Sequence, residues 1–235
     1  FNTPELAAIL AQTKLLVWDE CHYGATSGTR ISGILEQLSS QYAHLQILGL
    51  TATRVADCDQ LFPPSLVHYT FEEILNMGFL ARPLTERVET KVSWNPELTA
   101  NDEFSSTSLG VLARSNARTK RIVQQWQQNR DRYQKTLIFA CNRRHAQQIH
   151  QQMRARGIAA AAIWSGQGAV ANARALEQFR NNQVQVLVNV DMIAEGVDIP
   201  DIMTVFLCRP TRSRTKLMQM IGRGARIYGN QNTFQ

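Results

Sequence analysis

The second half of the sequence alternates short apolar runs with amphipathic segments, and this alternation restricts the folds that the chain can adopt. The apolar runs occupy residues 136–140, 158–164, 184–190 and 203–207. Segments with helical spacing of their apolar residues follow Asn142 and span residues 171–179 and 215–221. Strands that alternate with helices predict βαβ units, and therefore an α/β fold with a parallel sheet.

The front part of the chain repeats this pattern on a smaller scale. Residues 15–18 and 46–50 predict two buried strands, and Ile31, Ile34, Leu35 and Leu38 have the spacing of an amphipathic helix. An extended segment that ends at Pro83 separates the two parts. We therefore expect two parallel-sheet domains, at residues 1–83 and 84–235. Within the second, we expect a surface loop at 93–108 and one long basic helix from Val111 toward Arg130.

Composition favours an intracellular protein that meets a polyanion. None of the apolar runs approaches the roughly 18 residues of a membrane span, and no segment resembles a signal peptide. The four cysteines are widely spaced, which indicates reduced thiols in the cytoplasm. Residues 1–83 carry a net charge of −4 and residues 84–235 one of +10, with 20 arginines against 5 lysines in the whole chain. Arginine suits bidentate phosphate contacts, although a solvated basic surface is the simpler alternative.

Two adjacent carboxylates, Asp19 and Glu20, follow the first predicted strand. Ligands of open α/β sheets bind beyond the carboxyl ends of the strands. Asp19 at such a position could hold the Mg²⁺ of a nucleotide, and Glu20 could orient and deprotonate an attacking water. The alternative is that the two acids cap a helix or lie in an exposed turn.

Five short motifs occur in one order along the chain. They are Asp-Glu-Cys-His at 19–22, Thr-Ala-Thr at 51–53, Leu-Ile-Phe-Ala-Cys-Asn at 137–142, Val-Asn-Val-Asp-Met-Ile-Ala-Glu-Gly-Val-Asp-Ile-Pro at 188–200, and Gln-Met-Ile-Gly-Arg-Gly-Ala-Arg at 219–226. Together they resemble motifs II to VI of superfamily 2 helicases, especially the DEAD/DEAH-like branch that includes helicase subunits of restriction enzymes. The resemblance covers residues 15–226.

The resemblance implies two RecA-like lobes, the first truncated at its N-terminus, with ATP and Mg²⁺ bound between them. It assigns metal binding to Asp19 and activation of water to Glu20. The residues implied in nucleotide binding and in coupling hydrolysis to movement are His22, Thr51, Thr53, Gly196, Asp198 and Gln219. His22 and Gln219 would pair across the cleft, and Asp198 would lie near the ribose.

For two arginines, residue spacing supports the same assignment independently of the resemblance. Gln219, Gly222, Arg223 and Arg226 are spaced at i, i+3, i+4 and i+7, so one helical face would present both guanidinium groups to the γ-phosphate. An arginine finger of this kind contributes roughly 10³ to 10⁵ in rate. The alternative is a basic helix end that pairs with its own carbonyl groups.

Nucleic acid is the expected partner, and DNA is favoured over RNA by the Asp-Glu-Cys-His variant. Asn142 and Arg143 at a helix start, and Ser165 and Gly166 in a loop, could contact backbone phosphates. Further arginines and one lysine before the last motif could serve either the strand or the nucleotide: Arg209, Arg212, Arg214 and Lys216.

The sequence also departs from the family pattern. It contains no G-x-x-x-x-G-K-[ST] loop, so we expect that the first lobe is truncated and that these 235 residues alone do not hydrolyse ATP. Arg54 stands where many relatives have proline, and Val190 where a threonine is usual. Two rival functions stay open: the motor subunit of a restriction or repair complex that does not separate strands, and a degenerate module that only binds nucleic acid.

Overall fold

A computed structural model describes residues 3–23, 30–52, 58, 62, 67–90, 92–193, 197–229 and 232–235. Its chain divides into two compact units, Phe1–Tyr69 and Thr70–Gln235. In the described parts of the chain, no helix is both long and apolar enough to cross a bilayer.

The first unit contains a pair of parallel strands with helices packed on one face. Its elements are helix α1 (Pro4–Gln12), strand β1 (Leu15–Trp18), a 3₁₀ turn (Cys21–Tyr23), helix α2 (Arg30–Gln41) and strand β2 (Gln46–Gly49). Leu15 pairs with Gln46 and Trp18 with Gly49. Leu10 of α1 and Leu38 of α2 form a small core with Leu45.

The prediction that β1 is buried is wrong for one of its faces. Leu15 and Val17 are each 50% exposed. Leu16, one residue out of phase, packs against the core of α1 and α2. Successive side chains of a strand point to opposite faces, so helices on one side bury only half of an apolar run.

The second unit is built on a four-stranded parallel sheet. The strands of the whole unit are β3 (Arg82–Pro83), β4 (Thr136–Phe139), β5 (Ala160–Trp164), β6 (Val186–Val190), β7 (Thr204–Leu207) and β8 (Thr233–Phe234). The large sheet has the order β5-β6-β4-β7, and β3 pairs separately with β8. This arrangement confirms the predicted α/β class with parallel sheets.

Helices cover both faces of this sheet. They are α3 (Phe71–Asn76), α4 (Ser106–Arg114), α5 (Asn116–Gln128), α6 (Arg130–Tyr133), α7 (Arg143–Arg154), α8 (Ala169–Arg180) and α9 (Arg214–Gly222). Trp126 and Ile149 lie in the core on one face, and Phe179 and Ile193 in the core on the other. Residues of β4 and β6 alternate between these two cores, which explains why their sequences are apolar throughout.

The prediction of one long helix over residues 111–130 is wrong. The expected single helix is broken at Ser115, which ends α4 and whose side chain accepts a hydrogen bond from the Arg118 N–H at the start of α5. A serine that bonds neighbouring backbone groups offers an alternative to continuing a helix. The expected loop at 93–108 lies at the surface as far as residue 105, and it is anchored there, since Trp94 and Phe104 pack against Leu109 and its neighbours.

The boundary between the units lies before the predicted position at residue 83. The N–H of Ala81 donates to the carbonyl oxygen of Ala225 at 2.7 Å, and the N–H of Arg82 donates to that of Asn232 at 2.7 Å. Residues 81–84 therefore belong to the second unit, because they pair with its C-terminal segment. The assignment of the two units to two RecA-like lobes stays a prediction.

Candidate functional site

The two acids lie where β1 ends. Asp19 is exposed, Glu20 is half-buried, and the Glu20 N–H donates to Asp19 Oδ1 at 2.9 Å. Glu20 has a φ of 52°, in the left-handed region that few side chains adopt. Non-glycine residues in this region occur disproportionately at functional sites, because the surrounding structure must compensate for the strain.

His22 connects the acids to the end of the neighbouring strand. Its Nδ1 lies 2.8 Å from Thr51 Oγ1, just beyond β2, and 3.3 Å from Glu20 Oε2. His22 is 7% exposed, so this contact is shielded from solvent. Asp19, Glu20 and His22 of one motif and Thr51 of another thus form one cluster at the carboxyl edge of the β1–β2 pair. Thr53 lies outside the described residues.

The cysteine within this cluster is not a nucleophile. Burial, followed by the neighbouring Cys58 thiol, raises the pKa of Cys21 to about 11. The thiol therefore stays protonated at neutral pH, and only a thiolate is strongly nucleophilic. The chemistry of the cluster belongs to its carboxylates.

The cluster suits a magnesium ion that is shared with another ligand. Carboxylate oxygens are the donors that Mg²⁺ prefers. Within the described ranges, there is no group of three or more His, Cys, Asp or Glu side chains that could enclose a metal ion. Such a small donor set fits an ion that keeps its waters or contacts phosphate oxygens, with Asp19 supplying one protein contact.

In the second unit, two arginines contact residues 197 and 198, which follow β6 in the chain. Arg223 Nη1 donates to the carbonyl oxygen of Val197 at 2.8 Å, and Arg226 is ion-paired with Asp198. The structure therefore brings together Asp198, Arg223 and Arg226, which were predicted from two different motifs. Gly196, which belongs to the same motif as Asp198, lies outside the described residues.

The prediction that Arg223 and Arg226 share a helical face is wrong. Helix α9 ends at Gly222, Arg223 is its C-cap, and Arg226 lies in the irregular segment beyond it. Gln219, by contrast, is within α9 and half-buried. Gln219 and His22 lie in different units, so their pairing stays a prediction.

The expected nucleic-acid contacts also lie at the carboxyl edge of a sheet. Asn142 follows β4 and caps α7, and its side chain accepts a hydrogen bond from the His145 N–H at 3.0 Å. Arg143 and Arg144 are exposed in the first turn of α7. The predicted cap, together with the inner face of Ala146, Ile149 and Met153, is confirmed.

Arg143 links this helix start to the loop after β5. Its guanidinium lies 5.7 Å from the centre of the Trp164 ring, and Ser165 and Gly166 follow directly, exposed. Gly166 has a φ of 85°, a backbone conformation that would be strained in a residue with a side chain. The four predicted contact residues thus approach the edge of the sheet from β4 and β5.

Other predicted arginines already have acidic partners. Arg209 is ion-paired with Asp191, which follows β6, and Arg212 is ion-paired with Asp102. The sequence did not single out either acid. Asp191 and Asp102 are 18 and 110 residues away from their arginine partners, and no local pattern shows contacts over such separations.

A buried cation lies behind this edge. Arg118 is 8% exposed, and its guanidinium donates to the carbonyl oxygen of Cys208 at 2.5 Å and lies 3.4 Å from His145 Nε2. His145 Nδ1 accepts a hydrogen bond from the Cys141 N–H at 3.2 Å. Burial, reinforced by the charge of Arg118, lowers the pKa of His145 to about 3. His145 is therefore neutral in the folded protein.

Comparison with known proteins agrees with this geometry. Residues 117–228, just under half of the chain, match the family described as "Helicase conserved C-terminal domain". IRC3 of Saccharomyces cerevisiae, whose name assigns it to the ATP-dependent helicases, is 25% identical over 226 residues, covering 93% of this chain and 32% of IRC3. Residues 117–228 therefore belong to this helicase domain family, and the predicted resemblance to superfamily 2 helicases is confirmed.

A second relative is also named as a helicase. The protein named as mitochondrial ATP-dependent helicase irc3 in Schizosaccharomyces pombe is 30% identical over 224 residues, covering 92% of this chain and 36% of that protein. The chain thus spans about a third of the length of these two relatives.

Solved structures share the fold. A fragment of an HsdR subunit of a type I restriction enzyme from Vibrio vulnificus has a TM-score of 0.74 at 23% identity, over 98% of this chain and 44% of that one. Saccharomyces cerevisiae Dbp5, bound to RNA and ADP BeF3, has a TM-score of 0.58 at 13% identity, over 93% of this chain and 52% of that one. These likenesses show that the chain shares its fold with the restriction-subunit fragment and with Dbp5.

Proposed function

We propose that the intact protein is an ATP-dependent motor that hydrolyses Mg-ATP and moves on or unwinds nucleic acid, with DNA preferred over RNA. The observation that carries this proposal is the cluster of Asp19, Glu20, His22 and Thr51 at the carboxyl edge of β1 and β2. It joins the acids to a strand-end hydroxyl through one buried imidazole.

The carboxylates have separate roles in this proposal. Glu20 orients the attacking water and accepts its proton, since its Oε2 is held 3.3 Å from His22 Nδ1. Asp19 holds Mg²⁺, which supplies positive charge to the phosphate oxygens. Thr51 couples the acids to the rest of its unit through its contact with His22. Thr53 acts with Thr51 in this coupling.

The arginines of the second unit supply charge to the same nucleotide. Arg223 and Arg226 act on the γ-phosphate, while Gly196 and Asp198 approach the nucleotide with Asp198 near the ribose. Gln219 pairs with His22 to couple the two units. Supporting this role, both arginines contact residues 197–198, so a nucleotide at that segment is within reach of their donors.

Nucleic acid is held mainly through its phosphates. Asn142, Arg143, Ser165 and Gly166 lie along one sheet edge, and the last three of them are exposed. Contacts of this kind read little sequence, and affinity should fall steeply as salt rises. DNA and RNA are distinguished by measuring which of the two stimulates ATP hydrolysis more strongly.

The 235-residue chain by itself is expected to be inactive. Its sequence contains no G-x-x-x-x-G-K-[ST] loop, so it has neither the backbone cradle for the β-phosphate nor the lysine charge of the transition state. Metal-dependent ATP turnover by the isolated chain would contradict this expectation.

The proposal is tested by Glu20→Gln in the intact protein. We expect nucleic-acid-stimulated ATP hydrolysis to fall by at least about 10²-fold, because general-base catalysis contributes about 10²–10⁴, while ATP binding persists. Glu36→Gln is the matched control, since Glu36 is exposed on α2 of the same unit. Equal turnover in both variants would overturn the role of Glu20. A parent protein without ATP hydrolysis would favour a degenerate binding module.

A second candidate is a translocating motor that does not separate strands, as the fold similarity to the restriction-subunit fragment suggests. A strand-displacement assay run beside a translocation assay on triplex-marked DNA distinguishes the two. Movement without displacement would identify the translocase.

We also propose that the protein works in the cytoplasm. All four cysteines are free and buried, as expected in a reducing compartment.

A further inference from the structure

Residues 94–105 form a compact hairpin rather than a loose loop. The Thr99 N–H donates to the Glu103 carbonyl oxygen at 2.7 Å, and the Ser105 N–H donates to that of Glu97 at 2.9 Å. Leu98 and Phe104 form an antiparallel bridge. Asp102, at the tip, has a φ of 55°. We refer to residues 94–105 as the brace.

The brace is anchored to α4 on one side. The centres of the Trp94 and Phe104 rings are 4.8 Å apart, and Trp94 Nε1 donates to the Ser108 carbonyl oxygen at 3.0 Å. Ser108 is 5% exposed, and its hydroxyl accepts a hydrogen bond from the Glu97 N–H at 2.7 Å. These contacts anchor the base of the brace to α4.

The tip of the brace binds the turn before α9. Glu103 Oε2 accepts a hydrogen bond from the Thr211 hydroxyl, and Oε1 accepts one from the Arg212 N–H at 3.1 Å. Asp102 Oδ2 accepts from Arg212 Nε at 3.0 Å and from Nη2 at 2.8 Å. Two consecutive acids thus bind two consecutive residues more than 100 positions further along the chain.

The bound turn leads directly into α9. The Ser213 N–H donates to Thr211 Oγ1 at 3.1 Å, and the Ser213 side chain caps the helix by accepting from the Lys216 N–H at 3.3 Å. Helix α9 then carries Gln219 and ends at Arg223. A short helix is stiff, so the position of its first turn determines where the backbone of Arg223 lies.

We propose that Asp102 and Glu103 are positioning residues for the arginine-bearing helix α9. By fixing residues 211–213, the brace holds Gln219 and Arg223 in the orientation that hydrolysis requires. This inference rests on the proposed function for its catalytic consequence. Its structural part, the restraint of α9 by the brace, is measured separately.

The first measurement is amide hydrogen exchange in the intact protein. Glu103→Gln replaces a charged acceptor by a neutral one, and Glu97→Gln makes the same change at an exposed side chain six residues away. A hydrogen bond to a charged group contributes enough to slow exchange by about 10-fold or more. We expect exchange at Arg212 and in the first turn of α9 to rise about 10-fold in Glu103→Gln and to remain unchanged in Glu97→Gln.

The second measurement separates positioning from a merely structural role. Thr211→Val removes the hydroxyl that Glu103 binds, and Thr211→Ser restores it. We expect kcat for ATP to fall about 10-fold in Glu103→Gln and Thr211→Val, with KM changed less than about 2-fold, because a displaced arginine weakens the transition state more than substrate binding. Thr211→Ser should recover most of kcat.

The exchange and kcat measurements together distinguish a positioning role of the brace from a structural one. Equal exchange in Glu103→Gln and Glu97→Gln would show that the brace does not restrain α9. Faster exchange with unchanged kcat would make the brace structural only and overturn the positioning role. A parent protein without ATP hydrolysis would refute the proposed function and with it the catalytic role, while exchange would still decide whether the brace restrains α9.

Discussion

The guanidinium of Arg226 is ion-paired with the carboxylate of Asp198. In the proposed mechanism these side chains act on different parts of the nucleotide, the arginine on the γ-phosphate and the acid on the ribose. Arg226 must therefore leave Asp198, or share it, before it reaches a phosphate. Both side chains are solvent-accessible, so this exchange of partners costs little free energy.

Arg226→Ala should therefore separate activity from stability. Exposed ion pairs contribute about 0–1 kcal/mol, so the free energy of unfolding should change by less than about 1 kcal/mol. ATP hydrolysis by the intact protein should fall by about 10³-fold or more, the contribution of an arginine finger. Denaturant unfolding and steady-state turnover measure the two effects. Near-normal turnover would remove Arg226 from the catalytic residues, whereas a large loss of stability would show that the ion pair is structural.

Substitution by alanine should lower the free energy of unfolding at Gly224 but not at Gly222. A Cβ at Gly224 would lie 2.7 Å from Phe234 Cε2 and 2.9 Å from Val205 Cγ2, both closer than carbon atoms pack. Gly224→Ala should lower the free energy of unfolding by about 1–3 kcal/mol, the usual cost of overpacking. A Cβ at Gly222 meets nothing within 4 Å, so Gly222→Ala at the end of α9 should be neutral or stabilising by up to about 1 kcal/mol. Equal effects in denaturant unfolding would contradict the close approach at Gly224.

The stability of the chain should fall between neutral pH and mild acid because of His145. Burial and then Arg118 lower its pKa from 6.5 to about 3, so below pH 6.5 the unfolded chain binds a proton that the folded chain does not. The free energy of unfolding therefore decreases as the pH falls from 6.5 toward 3. His145→Gln, which has no titratable group, should flatten this dependence in unfolding measurements at pH 7 and pH 5. An unchanged slope in the variant would place the titration elsewhere.

Asn142 and Arg143 should differ in how much they contribute to stability. Asn142→Ala removes the cap of α7 and should cost about 0.5–2 kcal/mol of unfolding free energy, while Asn142→Asp should retain the cap. Arg143→Ala removes an exposed cation, so stability should change little. Its affinity for nucleic acid should fall, and the salt dependence of log K should weaken by about one phosphate contact, or about 0.7–0.9. Fluorescence anisotropy across a salt series measures this slope, and an unchanged slope would exclude the contact.

Local patterns predicted the parts of the fold that local physics determines. The cap at Asn142 and the buried face of α7 followed from residue spacing, and the strands of the large sheet lie within two residues of their predicted bounds. The resemblance named His22 and Thr51 as functional residues, but the contact between them was not predicted, because it spans 29 residues. Nothing in the sequence indicated the left-handed backbone of Glu20, since tertiary packing imposes it.

The errors have a common origin in contacts that a local pattern does not contain. The periodicity at 219–226 continued past the end of α9, where Gly224 instead packs closely against Phe234. The polar composition of residues 93–108 concealed the aromatic anchor of Trp94 and the acids that bind residues 211–212. In both places the deciding partner lies at least ten residues away in the chain.

The four-stranded sheet also determines where the molecule can be altered safely. Because β4, β5, β6 and β7 run parallel, the candidate residues that directly follow β4 and β5, namely Asn142, Arg143, Ser165 and Gly166, lie at one edge of the sheet. The turn at residues 181–183, which precedes β6 on the far side, is exposed. A fluorophore or surface tether attached there would follow the motion of the whole unit during turnover without touching the reacting groups.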